Sequence, residues 1–194
     1  MDLFAQFAMA ASHQAVTHAG LEGKFPVPER TGVVIGSGIG GMMTFEEQCL
    51  IYLQKGPDRV SPFFVPMFIP DIASGHVSIR YGLKGPNFCT VSACSSSAHA
   101  IGESYELIKS GAADCMVTGG SEAAITGTTI AGFQNIKALS TRNDATALAS
   151  RPFDRERDGF VLADGGAAVV LESLEHAMAR GANILGEVMG YGMS

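Results

Sequence analysis

The order of apolar and polar residues along the chain is typical of an α/β protein, because helical and strand-like patterns alternate. Apolar residues recur at helical spacing in five segments, each of which we predict to be a helix. They cover residues 3–19, 46–54, 71–81, 95–110 and 173–180. Short apolar runs between glycine or polar residues predict four strands, over residues 31–35, 87–93, 114–120 and 166–171.

Two segments lack either pattern, and we expect loops there. Residues 61–70 place three prolines among aromatic and aliphatic side chains, and proline interrupts regular backbone hydrogen bonding. Residues 121–137 follow the third predicted strand without a clear period. No internal repeat or linker divides the chain, so we expect residues 1–194 to form a single domain with a sizeable core.

Composition narrows the classes of protein. Hydrophobic residues make up 46% of the chain and charged residues 16%, which favours parallel strands covered by helices on both faces. The net charge of −6 argues against a nucleic-acid partner, and no basic tract suggests binding to a membrane surface. Two uncharged spans, 3–21 and 85–102, are interrupted by polar residues or proline, so neither predicts a transmembrane helix.

The four cysteines do not form a disulfide or metal-binding pattern. Cys49, Cys89, Cys94 and Cys115 contain no CxxC pair, and no secretory signal precedes them. We therefore expect reduced thiols in a cytoplasmic protein, with no metal site.

Cys94 is the main candidate for a reactive group, because it lies where a predicted strand turns directly into a predicted helix. Small residues surround it, from Ser92 to Ser97, and leave room for a substrate. A cysteine in the first turn of a helix faces unpaired N–H groups and the positive end of the helix dipole, which favour the nucleophilic thiolate. The alternative is a buried cysteine that only fills space, and this segment alone leaves both open.

A glycine-rich loop, Gly36–Gly41, matches the pattern GxGxxG after a predicted strand. A dinucleotide-binding fold also needs a second strand that ends in an acidic residue about 20 positions further on. Here residues 55–62 form a turn-rich stretch with no preceding strand, so we expect no nucleotide cofactor. An NAD(P)-dependent oxidoreductase remains the less favoured alternative.

The segment around Cys94, Gly85–Gly102, resembles the active-site segment of the β-ketoacyl-[acyl carrier protein] synthases. Four other segments fall in that family's order and spacing, and together they are closest to the synthase II type. They are Gly36–Gly41, Ser61–Pro66, Ala138–Asp144 and Arg151–Leu162. The resemblance implies a thiolase-like α/β fold with layers in the order αβαβα. We expect only its N-terminal half here, without the first strand and without the C-terminal half, so that the chain is a fragment.

The resemblance also implies roles for individual residues. Cys94 matches the catalytic nucleophile, Ile39 a residue that lines the acyl channel, and Phe133 a gating residue near the nucleophile. Phe64 matches a position that reaches the acyl pocket of the partner subunit in a homodimer.

Carrier-protein contacts are implied for two basic residues. Lys137 and Arg59 are placed to meet the acidic helix of an acyl carrier protein. Asp58 departs from the family, because a basic residue is common at that position.

None of the five histidines is expected to be the catalytic base. At about 100° per residue, His99 lies about 140° around the helix from Cys94 and should point away from the thiol. His76 also matches a packing position, and the other three fit exposed helical patterns. In the family, the two catalytic histidines, a lysine and a glycine-rich loop would lie beyond residue 194. The charged run 154–158 is expected to hold a loop beneath the site through ion pairs.

The implied reaction is a decarboxylative Claisen condensation in fatty acid elongation, with acyl- and malonyl-acyl carrier protein as substrates and no cofactor. We expect this chain alone not to complete the cycle. A polyketide-type ketosynthase remains open as an alternative. A non-catalytic chain-length subunit of the same superfamily is also open, although such subunits usually lack the cysteine.

Overall fold

A four-stranded mixed sheet forms the centre of the fold. The structure, a computed structural model, describes residues 1–23 and 25–193. The strands lie in the order β2-β1-β3-β4, and β1 is parallel to both of its neighbours. They are β1 (Thr31–Gly36), β2 (Asn87–Phe88), β3 (Cys115–Glu122) and β4 (Gly165–Glu172). Since β4 runs antiparallel to β3, the sheet is not purely parallel, contrary to the expectation from composition.

Seven α-helices lie among the described residues, none of them long and apolar enough to cross a membrane. They are α1 (Leu3–His18), α2 (Met42–Lys55), α3 (Phe64–Phe68), α4 (Ile72–Tyr81), α5 (Ser96–Lys109), α6 (Gly127–Asn135) and α7 (Leu174–Ala179). Helices α1 and α4 pack on one face of the sheet and α5 on the other.

Two buried clusters fill these interfaces. The larger one joins Phe4 of α1 and Val77 of α4 to Val33 and Val117 of the sheet. The smaller one joins Ala100 of α5 to the opposite face. Each fully buried side chain of the larger apolar residues stabilises the fold by about 1.5–3 kcal/mol.

Helix α1 also packs along the edge strand β4. The contact is close, because a Cβ atom on Gly166 would lie 3.2 Å from the backbone of Phe7. Helix α1 and strand β4, the first helix and the last strand among the described residues, are thus packed against each other.

The predicted elements are confirmed at α1, α4, α5, α7, β1, β3 and β4, with ends shifted by one or two residues. Helix α4 stops as predicted at Gly82, whose φ of 66° is a left-handed conformation that suits glycine. Helix α2 begins at Met42, four residues before the predicted 46.

The loop prediction for 61–70 is wrong, because α3 lies within it. Pro66 occupies the third position of this helix, where its missing N–H would have no helical partner. Phe64 and Phe68, four residues apart, then stack with ring centroids 5.7 Å apart.

The loop prediction for 121–137 is also wrong, because α6 lies within it. Thr126 caps the helix by accepting a hydrogen bond from the Thr129 N–H. Glu46 of α2 accepts a second bond from the Thr128 N–H at 2.8 Å. The helix start is therefore completed by a carboxylate that is distant in sequence.

The predicted strand over 87–93 is wrong beyond Phe88. Strand β2 contains only Asn87–Phe88, and neither residue is buried. After Phe88 the chain leaves the sheet towards the turn that carries Cys94.

Two glycines set the position of α5. A Cβ on Gly36 of β1 would overlap the Ser96 carbonyl group, and one on Gly120 of β3 would overlap the Ser97 side chain. Only glycine permits this approach. The N-terminus of α5 therefore lies directly over the ends of β1 and β3.

Asp2 caps two helices at once. Its carboxylate is almost fully buried and accepts hydrogen bonds from the Phe4 N–H of α1 and the Thr44 N–H of α2, at 3.4 and 2.8 Å. These N–H groups belong to the first turns of their helices and have no helical partners. One side chain therefore fixes the relative position of α1 and α2.

Glu172 forms a partly buried ion-pair cluster at the end of β4. His176 Nδ1 lies 2.6 Å from its Oε1 atom, and the Arg180 guanidinium donates to both of its carboxylate oxygens. Arg180 also donates to the Ala19 carbonyl at 2.7 Å, which connects α7 to the end of α1. Burial acts to raise the pKa of Glu172, but the bonds from Arg180 and His176 outweigh it and lower that pKa.

Candidate active site

Cys94 is exposed on the turn between β2 and α5, so the alternative of a space-filling buried cysteine does not hold for it. That description fits Cys115, whose thiol is fully buried and whose pKa is raised by burial to about 12. Burial also raises the pKa of Cys89 to about 11. Cys94 is the most exposed of the four cysteines.

The turn before Cys94 has an unusual backbone conformation. Ala93 has a φ of 50°, in the left-handed region that residues with a Cβ atom rarely adopt. Such a conformation costs about 1–2 kcal/mol and persists only where the surroundings hold it.

Ser96 supplies most of that support. Its buried hydroxyl donates to the Ala93 carbonyl at 2.7 Å and accepts from the Ser92 N–H at 2.9 Å. The Ser95 and Ser96 N–H groups also donate back into the turn, to Ser92 and Ala93, each at 3.1 Å. The chain is thus fixed on both sides of the thiol.

The predicted placement of Cys94 in the first helical turn is wrong. Helix α5 begins at Ser96 with Ser95 as its N-cap, so Cys94 precedes the helix. The first amides of the helix, at Ser95 and Ser96, are bonded within the turn and do not face the thiol unpaired. Among the described residues, none accepts a hydrogen bond from the N–H of Cys94 itself.

His99 supports the turn from within α5. Its Nδ1 atom lies 2.6 Å from Ser92 Oγ, and its ring meets the Tyr191 ring edge-on with centroids 6.2 Å apart. These contacts give the ring a structural role in holding the Cys94 turn.

The glycine-rich loop lies beside this turn. A Cβ on Gly38 would be 3.4 Å from the Ala93 carbonyl oxygen. The Gly38 N–H donates to Glu122 Oε2 at 2.6 Å, and the Gly40 N–H donates to Ser37 Oγ at 3.1 Å. These amides, which a phosphate would need, are therefore bonded within the protein.

Glu122 is a site residue that the sequence reasoning missed. It lies at the end of β3 and accepts hydrogen bonds from Ser37 Oγ and the Gly38 N–H, at 3.0 and 2.6 Å. Its partners lie 84 and 85 positions away, so no local pattern could have indicated it.

The loop that carries Ile39 and the helix that carries Phe64 are joined by one backbone hydrogen bond. Ile39 is 38% exposed at the tip of the glycine-rich loop. Phe64 packs in α3 against Phe45 and Phe68, and the Phe68 carbonyl accepts a hydrogen bond from the Gly41 N–H of the loop at 2.9 Å. The loop therefore connects the Cys94 turn to the aromatic cluster of α3.

Phe133 belongs to a different set of contacts. It lies in α6 and meets the Phe160 ring edge-on, with centroids 5.2 Å apart. Its aromatic partner among the described residues is thus Phe160, which follows the charged run 154–158.

The two basic candidates are both exposed and lie on separate elements. Arg59 ends a short 3₁₀ turn after α2. Lys137 follows α6 with a φ of 57°, at the rim of a cavity of about 670 Å³ that Phe153 and Phe160 also line.

Within the charged run 154–158, Asp158 forms one ion pair, with Arg151 outside the run. Asp158 lies 3.2 Å from Arg151 and accepts hydrogen bonds from Ser140 Oγ and the Thr141 N–H, at 2.7 and 2.9 Å. The bonds from Ser140 and Thr141, with the charge of Arg151, lower the pKa of Asp158. The segment is thus fastened to residues 140–141.

Metal ligands are not grouped in this region or elsewhere in the described ranges: no cluster of three or more His, Cys, Asp or Glu side chains is placed to hold an ion.

Comparison with known proteins gives one consistent result. A family described as "Beta-ketoacyl synthase, N-terminal domain" matches residues 1–177. The chain is 54% identical over 192 residues to 3-oxoacyl-[acyl-carrier-protein] synthase 2 of Staphylococcus aureus, covering 99% of this chain and 47% of that protein. The chain therefore spans about half the length of the curated relatives it matches.

Solved structures agree with the fold. A β-ketoacyl synthase from Burkholderia phymatum superposes with a TM-score of 0.85 at 37% identity, over 93% of this chain and 44% of that one. A type II PKS acyl-carrier protein in complex with its ketosynthase gives 0.84 at 34% identity, over 93% and 46%. The predicted thiolase-like α/β fold is confirmed for the part that this chain covers.

Proposed function

Because the chain belongs to the β-ketoacyl synthase family, through its N-terminal domain, we propose that it carries the acyl-accepting part of a 3-oxoacyl-[acyl carrier protein] synthase. The observation that supports this most directly is Cys94, exposed at the tip of a turn whose strained backbone is held by Ser96. A cysteine held in this way is placed to act as a nucleophile.

In the first half-reaction, the Cys94 thiolate attacks the carbonyl carbon of an acyl thioester on the carrier protein. The negative charge that develops on the carbonyl oxygen needs donors, and the Cys94 N–H is available for this. Collapse of the tetrahedral intermediate expels the carrier thiol and leaves the acyl group on Cys94.

In the second half-reaction, malonyl-acyl carrier protein loses carbon dioxide and its carbanion attacks the acyl-cysteine. The product is a β-ketoacyl thioester two carbons longer, and the Cys94 thiolate is regenerated. Family resemblance assigns the donors that stabilise the enolate in this step to histidines outside these residues. We therefore expect residues 1–194 alone to accept an acyl group without completing the cycle.

Fatty acid elongation is favoured over polyketide synthesis as the pathway. The relative named 3-oxoacyl-[acyl-carrier-protein] synthase 2 is 54% identical, whereas the polyketide ketosynthase structure is 34% identical. A non-catalytic chain-length subunit is disfavoured, because the cysteine is present and exposed.

The proposed partner is an acyl carrier protein, since a solved relative is a ketosynthase bound to one. Exposed Arg59 and Lys137 are the proposed contacts for its acidic helix. We also propose a cytoplasmic homodimer built from single-domain units, in which Phe64 would reach the acyl pocket of the partner subunit. Ile39 and Phe133 would line and gate the acyl site.

The test is the intact mass of the chain after incubation with a long-chain acyl thioester, compared with Cys94→Ala. Cys49→Ala serves as a matched control, because Cys49 is a free cysteine on α2 away from this turn. A single acyl adduct that survives in Cys49→Ala and disappears in Cys94→Ala supports the proposal. An adduct that persists in Cys94→Ala would refute Cys94 as the acceptor.

A further inference from the structure

Glu122 joins two parts of the candidate site that are distant in sequence. One carboxylate oxygen accepts from Ser37 Oγ and the other from the Gly38 N–H, so both oxygens are used on the glycine-rich loop. The other neighbour of that loop is the Cys94 turn, whose Ala93 carbonyl lies against Gly38. The carboxylate thus lies at the point where the loop and the turn meet.

The hydrogen bonds to Glu122 are needed to order the loop, because its own sequence gives it little rigidity. Three of the four residues from Gly38 to Gly41 are glycines, which lose more conformational entropy on ordering than other residues. Gly40 has a φ of 78°, and a Cβ there would lie 2.7 Å from the Phe68 carbonyl oxygen, so larger residues cannot replace it. Charge-assisted bonds to Glu122 supply order that side-chain packing cannot.

The position of Ile39 depends on this arrangement. Among residues 38–41 only Ile39 has a side chain, and that side chain is exposed. Any shift of Gly38 relative to Ala93 changes where Ile39 lies relative to the Cys94 thiol.

We infer that Glu122 is a positioning residue that fixes Gly38 against the Ala93 carbonyl, so that it fixes Ile39 relative to Cys94 and thereby sets how well apolar chains reach the thiol. This inference rests on the proposed function for its biological meaning, since the apolar chain would be the acyl substrate. The physical claim is that the hydrogen bonds from the loop to Glu122 control access to Cys94, whatever the substrate is.

The test measures alkylation of Cys94 in the whole chain with N-ethylmaleimide and N-octylmaleimide. The sulfur adds across the maleimide double bond and a proton is taken up at the adjacent carbon, so no acyl chemistry is needed. Peptide-resolved mass spectrometry separates Cys94 from the other cysteines. The quantity compared is the ratio of the octyl rate to the ethyl rate.

The unchanged chain should react faster with the octyl reagent, and Glu122→Ala should lower the ratio about tenfold, through loss of two hydrogen bonds. Glu122→Gln should stay within about twofold, because its amide can accept from Gly38 and donate to Ser37. Glu47→Ala is the matched control, since it removes one exposed carboxylate of α2 and should leave the ratio unchanged.

Ser37→Ala removes only one of the two bonds to Glu122 and should give an intermediate ratio. This variant tests the inference even if Glu122→Ala does not fold. The inference is overturned if the unchanged chain shows no octyl preference, if a folded Glu122→Ala keeps the original ratio, or if Glu122→Gln is as impaired as Ala. A normal octyl preference without acyl transfer would instead count against the proposed function alone.

Discussion

The turn that carries Cys94 should depend on the hydroxyl group of Ser96, and Ser96→Ala tests this directly. The substitution removes one bond donated to the Ala93 carbonyl and one accepted from the Ser92 N–H. The Ser92 N–H would then lose its partner and the Ala93 carbonyl would keep only the Ser96 N–H, at a combined cost of about 2 kcal/mol. The left-handed conformation of Ala93, itself unfavourable by about 1–2 kcal/mol, would then be held only by the backbone bonds from the Ser95 and Ser96 N–H groups.

Thermal unfolding should detect the first effect. For a chain of this length, about 2 kcal/mol corresponds to a decrease in Tm of about 4–8 °C. Ser95→Ala is the matched control, because Ser95 is exposed and its side chain makes no capping hydrogen bond. That variant should change Tm by less than about 2 °C.

The rate of Cys94 alkylation should change as well, because relaxation of Ala93 alters the orientation of the next residue. If Ser96→Ala unfolds at the same temperature as Ser95→Ala, with the same Cys94 alkylation rate, the Ser96 hydroxyl does not hold the turn. A lower Tm with an unchanged alkylation rate would limit the role of Ser96 to stability.

Three further predictions concern the fold. Asp2→Ala should lower the free energy of unfolding by about 1–3 kcal/mol in urea denaturation, since two helix caps are lost, whereas exposed Asp58→Ala should have little effect. The pKa of Glu172 is lowered in the folded state, so its ion pairs stabilise the protein fully above the unfolded pKa of about 4.3. The difference in free energy of unfolding between the unchanged chain and Glu172→Gln should therefore disappear as the pH falls through the folded pKa. Gly36→Ala should destabilise by about 1–3 kcal/mol through overlap with Ser96, and Gly132→Ala, with open space at its Cβ in α6, should stabilise by about 0.5–1 kcal/mol; opposite shifts in Tm are the check.

The parts of the fold that the sequence predicted correctly are those whose signals are local. Helix α4 has helical spacing and a glycine stop at Gly82, and both act within a few residues. Helix α6 lacked such a pattern, because part of its N-terminal capping comes from Glu46, 82 positions away. The length of strand β2 was overestimated, because a local apolar run is typical of a strand but here leads into the Cys94 turn after Phe88.

The candidate site shows the same division. Cys94 could be singled out from its small neighbours and its position between two elements. Its support by Ser96 and the role of Glu122 depend on side-chain hydrogen bonds in three dimensions, which no periodicity encodes. Two of the amides expected to be free at the start of α5 are not free, since Ser95 and Ser96 use theirs to close the turn.

The packing of α1 against β4 has a consequence for synthesis on the ribosome. Helix α1 ends at His18 and β4 begins at Gly165, so about 150 further residues are synthesised before the part of α1 that packs on β4 can be covered. At about 5–20 residues per second, that delay is roughly 7–30 s. During this time the side of α1 that packs on β4 remains without its native cover, although α4, β1 and β3 are already present, which makes the nascent chain a natural client for a chaperone that binds early apolar segments.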